Sequence, residues 1–70
     1  MNVKRKYGMN IMRKRMEAGI TQVQLADICG VSAPYMSMLE HGVKCPSLAL
    51  AECIAAALGC TVNDFLQENN

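Results

Sequence analysis

The sequence has few aromatic residues: it contains no tryptophan, one phenylalanine and two tyrosines. A core of stacked aromatic rings is therefore excluded, and aliphatic side chains must form the core, with six methionines as adaptable fillers. Seventy residues suffice for one domain with a small core. Its stability should be modest unless a partner buries more of its surface.

Long apolar runs are also missing. No segment approaches the roughly 20 apolar residues that a membrane-spanning helix requires, and the N-terminus shows no signal-peptide pattern. We therefore expect a cytoplasmic protein that has no membrane partner.

The sequence offers little for catalysis or metal binding. It has one histidine, no glycine-rich phosphate loop and no acid–base pair beside a nucleophile, so we expect neither enzymatic activity nor a small-molecule ligand. Four cysteines are present, but none has the Cys-x-x-Cys spacing typical of structural zinc sites. We expect no metal and no cofactor, and interpret the cysteines as small apolar residues. A metal site formed by His41, Cys45 and Cys53 is the alternative.

The net charge of +1 favours no particular partner, whereas the distribution of charge does. Residues 1–6 show no helical pattern and are expected to form a flexible basic arm. A basic end on a nearly neutral chain is typical of a protein that binds a polyanion, and a solvated segment that adds solubility is the alternative. Six of the seven basic residues belong to this end of the chain: Lys4, Arg5, Lys6, Arg13, Lys14 and Arg15.

The segment from Thr21 to Gly42 predicts two short helices around a glycine turn. Thr21 and Gln24 have the spacing of a capping box, Gly30 supplies the left-handed residue that ends a helix, and Ser32 is a second N-cap. Two helices joined by so short a turn cross steeply when the side chain at the crossing is small, as Ala26 is. The pattern is that of a helix-turn-helix, whose second helix can enter a DNA major groove.

Signatures on both sides of this segment have the same order as in a known family. The range Tyr7 to Leu66 follows the pattern, and the residues that carry it are Ile11, Arg15, Gly19 to Gln22, Leu25, Ala26, Gly30 to Ser32, Leu39, Glu40, Gly42, Pro46 to Leu48, Ile54, Ala55, Ala57 to Gly59, Phe65 and Leu66. The sequence resembles the Cro/C1-type (Xre-like) helix-turn-helix family of phage repressors and related bacterial regulators. The resemblance implies an all-α fold, a compact five-helix repressor-like domain at residues 7–67 whose helices 2 and 3 form the helix-turn-helix. Residues 68–70 should be a frayed C-terminus.

The remaining helices are predicted from apolar spacing and capping residues. The first should run from about Gly8 to Ala18 with Asn10 toward water, the fourth from about Leu48 to Leu58, and a short fifth should start after Thr61. Together the five helices predict a core of Ile11, Leu25, Ala26, Val31, Met36, Leu39, Leu48, Ile54, Ala55, Leu58 and Phe65.

The resemblance also implies which residues meet DNA. Gln22, at the start of the second helix, should hold a phosphate, and Tyr35 and Lys44 should be further phosphate partners. Arg15 and Glu40 should form an ion pair that joins the first helix to the end of the third. The side chains expected to face base edges are Ser32, Ala33, Pro34, Ser37 and Met38, with His41 nearer the rim.

We therefore expect a sequence-specific double-stranded DNA-binding transcriptional regulator, a repressor, that reads the major groove with its third helix. The third helix has no basic residue, so an antitoxin-like or other protein-interaction module with weak DNA binding is the alternative. Ala33, Pro34 and Met38 offer methyl and thioether groups, which match the thymine C5-methyl and predict a half-site that contains A·T pairs.

Some apolar side chains of the fourth helix lie outside the stripe expected to face the core, which indicates that a second copy of the chain packs on them. These side chains are Leu50, Cys53 and Ala56. A homodimer is expected, in free solution or only on DNA, with its recognition helices about 34 Å apart. Scattered apolar side chains on the surface of a monomer are the alternative.

Overall fold

The computed structural model of this chain describes residues 2–66. Four α-helices, α1 (Val3–Glu17), α2 (Gln22–Cys29), α3 (Ala33–Glu40) and α4 (Leu48–Leu58), precede a 3-10 helix at Val62–Leu66. Residues 2–66 contain no strand, so the predicted all-α class is confirmed, with a 3-10 helix in place of the fifth α-helix. No helix within this range is long and apolar enough to cross a membrane.

The helix-turn-helix begins and ends at the predicted capping residues. Thr21 Oγ1 accepts a hydrogen bond from the Gln24 N–H at 3.1 Å, and Gln24 Oε1 accepts one from the Thr21 N–H at 2.8 Å. Gly30 ends α2 with a φ of 69°, in the left-handed region that favours glycine. Ser32 Oγ then accepts from the Tyr35 N–H at 3.1 Å and starts α3. Local signals therefore define both helices.

α1 begins at Val3, not near Gly8 as predicted. The cause is Asn2, whose Oδ1 accepts a hydrogen bond from the Arg5 N–H at 2.9 Å and caps the helix. The predicted flexible arm is therefore wrong for residues 3–6, which form the first turn of a helix. Met1 and the predicted frayed end at residues 68–70 lie outside the described residues.

The core lies where the four α-helices and the 3-10 helix meet. Val31 and Leu58 were predicted within it and lie half-buried at its edge. Leu48 was wrongly placed in the core: its side chain is 70% exposed, because the first residue of α4 has no element packed against it. The buried apolar residues are Tyr7, Ile11, Leu25, Ala26, Met36, Leu39, Ala51, Ile54, Ala55 and Phe65.

A buried polar contact joins α1 to the 3-10 helix. Asn10 is fully buried, and its Nδ2 donates a hydrogen bond to the Phe65 carbonyl oxygen at 2.6 Å. The helical pattern predicted Asn10 toward water, and that prediction is wrong because a main-chain carbonyl inside the domain needs a donor. One turn earlier, the rings of Tyr7 and Phe65 pack with centroids 5.3 Å apart.

α1 and α3 approach each other closely at Gly8. A Cβ atom at this position would overlap the Leu39 carbonyl oxygen and lie 2.7 Å from the carbonyl oxygen of Glu40. Glycine is required here because a side chain of any size would push the two helices apart. The close approach brings Arg15, two turns further along α1, to the end of α3.

Candidate nucleic-acid interface

A buried carboxylate at the end of α3 connects three helices. The Glu40 side chain is 0% exposed, and it accepts hydrogen bonds from Arg15 Nε at 2.6 Å and Arg15 Nη2 at 3.1 Å. Gln22 Nε2 donates to the same carboxylate at 3.0 Å, and Arg15 Nη1 donates to the Ile20 carbonyl oxygen at 2.9 Å. The predicted ion pair is thus present as part of a larger Glu40 network. Such a bidentate pair fixes orientation more than it adds net stability.

The Glu40 network also fixes Gln22, which was predicted to hold a phosphate. Gln22 is the first residue of α2, where main-chain N–H groups have no acceptor within the helix. One of its two amide hydrogens is directed at Glu40, so the side chain is held against α3. The other hydrogen, the amide oxygen and the helix N-terminus are suited to a phosphate, but this role of Gln22 stays a prediction.

α3 buries one face and presents the other outward. Met36, Leu39 and Glu40 are buried. Helical spacing places Pro34, Ser37, Met38 and His41 on the opposite side; Pro34 and His41 are exposed, whereas Ser37 and Met38 are half-buried. We call these four residues the outward face of α3.

Three of the predicted contact residues lie at the margin of this face. Ser32 is the N-cap of α3, and its hydroxyl oxygen already accepts the Tyr35 N–H. Ala33 and Tyr35 are half-buried and pack against the core. Their contact with DNA stays a prediction, and the geometry leaves the centre of the face to Pro34, Met38 and His41.

Two basic residues, Lys44 and Arg5, lie near the C-terminal end of α3. Gly42 has a φ of 76°, and the Val43 and Lys44 N–H groups then donate to the Met38 carbonyl oxygen at 2.9 and 3.3 Å. These bonds hold exposed Lys44 close to the last turn of α3. Arg5 of α1 lies beside the same turn: a Cβ atom built on Gly42 would be 2.8 Å from Arg5 Cγ.

His41 is part of the outward face; the resemblance places it nearer the rim of the DNA contact, which stays a prediction. It is the C-cap of α3, and its Nδ1 lies 2.8 Å from the Ser37 carbonyl oxygen. Helical spacing in the sequence identifies His41 as part of this face, since Pro34 and His41 are seven residues, or two helical turns, apart.

Cys29 and Cys60 are half-buried, whereas Cys45 is exposed. Burial, together with a hydrogen bond to Cys53, raises the pKa of the Cys29 thiol to about 12, and burial also raises the pKa of Cys60. Both thiols are therefore protonated near neutral pH. Within residues 2–66, no group of three or more histidine, cysteine, aspartate or glutamate side chains is placed to hold a metal ion.

Curated proteins with similar sequences include one named as a transcriptional regulator and one named as a repressor. The chain is 38% identical over 53 residues to the HTH-type transcriptional regulator DdrOP3 of Deinococcus deserti. The matched residues make up 76% of this chain and 41% of that protein. It is 38% identical over 61 residues to the immunity repressor protein of Bacillus phage phi105, covering 87% of this chain and 42% of that protein. The chain spans about two fifths of the length of these two relatives.

Solved structures agree with this likeness. ClgR, the clp gene regulator of Corynebacterium glutamicum, superposes with a TM-score of 0.91 at 33% identity, over 94% of this chain and 70% of that one. SinR, described as the master regulator for biofilm formation and solved in complex with DNA, superposes with a TM-score of 0.80 at 31% identity, over 87% of this chain and 98% of that one.

The sequence model of one helix-turn-helix family, HTH_3, matches residues 11–65. The match begins at the buried Ile11 of α1 and ends at the buried Phe65 of the 3-10 helix, so it takes in the Glu40 network and the outward face of α3. The chain therefore belongs to the HTH_3 (Cro/C1-type) helix-turn-helix family.

Proposed function

We propose that this domain binds double-stranded DNA at specific sites and acts in the cytoplasm as a transcriptional regulator, a repressor. The observation that supports this most is the outward face of α3, flanked by the N-terminus of α2 and by Lys44. It occurs in a fold that superposes on SinR, which was solved with DNA. α3 would lie in the major groove, with the phosphates on either side held by Gln22 and Lys44.

Base reading on this surface would depend on apolar contact more than on hydrogen bonds. Pro34 and Met38 present no donor, and Ser37 presents one hydroxyl. The thymine C5-methyl is the apolar group that a base pair shows in the major groove. We propose A·T-containing half-sites with modest specificity, to which the ease of DNA bending adds.

The proposed assembly is a homodimer. Leu48 is exposed at the start of α4 together with Ala49, and Ala56 is exposed two turns further on. Cys53 is half-buried between them, and Leu50 is half-buried against the core. A two-fold pair would present two copies of α3 about 34 Å apart, on successive major grooves. Sedimentation velocity should detect the pair in solution or on a duplex with two half-sites; a monomer in both samples refutes it.

The test of DNA binding is its salt dependence on duplex DNA, compared between two single lysine variants. Lys44→Gln removes a charge beside α3, whereas Lys14→Gln removes one from α1 next to Asp64 and Cys60, on another part of the domain. We expect Lys44→Gln to weaken binding to all duplexes and to lower the slope of log K against log salt by about 0.9, the value for one phosphate contact. Lys14→Gln should leave that slope unchanged.

Two results would contradict the proposal. Absence of duplex binding at low salt would favour the protein-interaction module, as would equal effects of the two lysine variants. In-vitro selection from random duplexes then tests sequence preference, and recovery of no enriched motif refutes specific binding.

A further inference from the structure

The hydrogen bond that His41 makes within α3 determines which of its ring nitrogens faces outward. Nδ1 lies 2.8 Å from the Ser37 carbonyl oxygen and 3.5 Å from Ser37 Oγ. A carbonyl oxygen can accept a hydrogen bond but cannot donate one, so Nδ1 carries the proton. The other nitrogen, Nε2, is left to the outward face of α3.

This arrangement makes the chemistry of Nε2 depend on pH. In the neutral ring Nε2 is an acceptor, and its lone pair repels an anionic oxygen. In the imidazolium form Nε2–H is a charged donor, which suits a phosphate oxygen. Histidine side chains ordinarily change charge between pH 5 and 8, and His41 is the one histidine of the sequence.

The charged groups around His41 favour an anionic partner. From α1, Arg5 approaches the neighbouring Gly42, and exposed Lys44 follows in the loop. The Glu40 carboxylate is directed inward to Arg15 and Gln22. α2 contributes Asp27, which lines a groove with Gly19, Ile20, Gln24 and Ile28, at the other side of that helix from Gln22. Among residues 2–66, no hydrogen bond or ion pair joins His41 to a carboxylate.

We propose that His41 is a phosphate-binding residue that takes up a proton when the domain binds DNA. Nδ1–H keeps its hydrogen bond to the Ser37 carbonyl oxygen. Nε2 gains a proton, and the resulting N–H donates a hydrogen bond to a phosphate oxygen at the C-terminal end of α3. The inference rests on the proposed DNA binding and adds to it one contact that requires the protonated ring.

The experiment measures binding of random-sequence duplex from pH 5.5 to 8.5 at constant ionic strength, for the wild-type chain and His41→Gln. The wild type should bind about tenfold more tightly at the acid end, since a hydrogen bond to a charged group contributes on that order. The affinity of His41→Gln should be the same at every pH. At pH 5.5 its salt slope should be smaller by about 0.9, and at pH 8.5 the two slopes should agree.

Calorimetry in two buffers of different ionisation enthalpy counts the protons directly, without a variant. Net proton uptake on binding is expected, and absence of uptake at every pH tested overturns the proposal. A pH effect confined to duplexes with guanine at one position also overturns it, since the partner would then be a base. Duplex binding that is independent of pH refutes the role of His41 alone. Failure to bind duplex at any pH refutes the proposed function itself.

Discussion

The buried inner face of α3 and its outward face, also called the outer face, differ in the contacts that their side chains make. On the inner face, Met36, Leu39 and Glu40 are at most 2% exposed, and Glu40 accepts hydrogen bonds from two other helices. On the outer face, Pro34 and His41 are exposed, and among residues 2–66 the His41 side chain makes its hydrogen bond to Ser37 of the same helix. The inner face thus sets where the helix lies, while the outer face is open to a partner. Substitutions on the two faces should therefore have separable effects.

The largest difference in the free energy of unfolding should appear between substitutions of two neighbouring residues, Leu39 and Met38. Leu39→Ala should lower the free energy of unfolding by roughly 2–5 kcal/mol, because it leaves a cavity in the core. Met38→Ala, on the outer face, should change it by less than about 1 kcal/mol. Urea denaturation followed by circular dichroism measures both. Equal losses for the two variants would show that the faces are not distinct.

A smaller loss of stability is expected from a substitution in α1, the helix that packs on the inner face of α3. Gly8→Ala should cost about 1–3 kcal/mol, because its Cβ would press on the main chain of Leu39 and Glu40. Alanine is otherwise the better helix former by about 1 kcal/mol, so a loss of stability carries structural information. Met9→Ala, at an exposed neighbour in α1, is the control and should be close to neutral. A stabilised Gly8→Ala variant would show that the helices have room between them.

The smallest effect concerns the outer face alone. Replacement of thymine by uracil in a selected half-site removes a methyl group and should weaken binding about fourfold at the contacted step, the value of one buried carbon. Met38→Ala should reduce this thymine preference without changing stability. Uracil duplexes that bind as tightly as the thymine originals at every position would show that the apolar side chains do not read bases.

The elements that depend on local signals could be predicted from the sequence. Thr21, Gly30 and Ser32 define the helix-turn-helix by capping and left-handed turns, which act within a few residues. α4 likewise begins after Ser47 and ends before Gly59, as expected. Burial of polar groups could not be predicted in this way, because the partner of Asn10 is the Phe65 carbonyl at the far end of the domain.

Two further differences come from tertiary packing. Leu48 has the spacing of the inner stripe of α4, but periodicity does not tell where the packed surface stops. Gly8 was read as the start of a helix, whereas its lack of a side chain serves the contact with α3.

For the candidate site, the ion pair of Arg15 and Glu40 followed from the family resemblance. The hydrogen bond from Gln22 to the same carboxylate did not, because it depends on the angle between α2 and α3. The resemblance places His41 nearer the rim of the DNA contact, which stays a prediction; the C-cap position puts it on the same side of α3 as Pro34.

The contact between Asn10 and Phe65 bears on how the domain is made on the ribosome. α1 is the first of the described helices to be synthesised, yet its Tyr7 ring and Asn10 amide pack against Phe65, which belongs to the last of them. A nascent chain whose Phe65 has not yet left the exit tunnel lacks the ring and the carbonyl oxygen that Tyr7 and Asn10 contact in the folded domain. We therefore expect the final docking of α1 to follow the emergence of Phe65 from the exit tunnel.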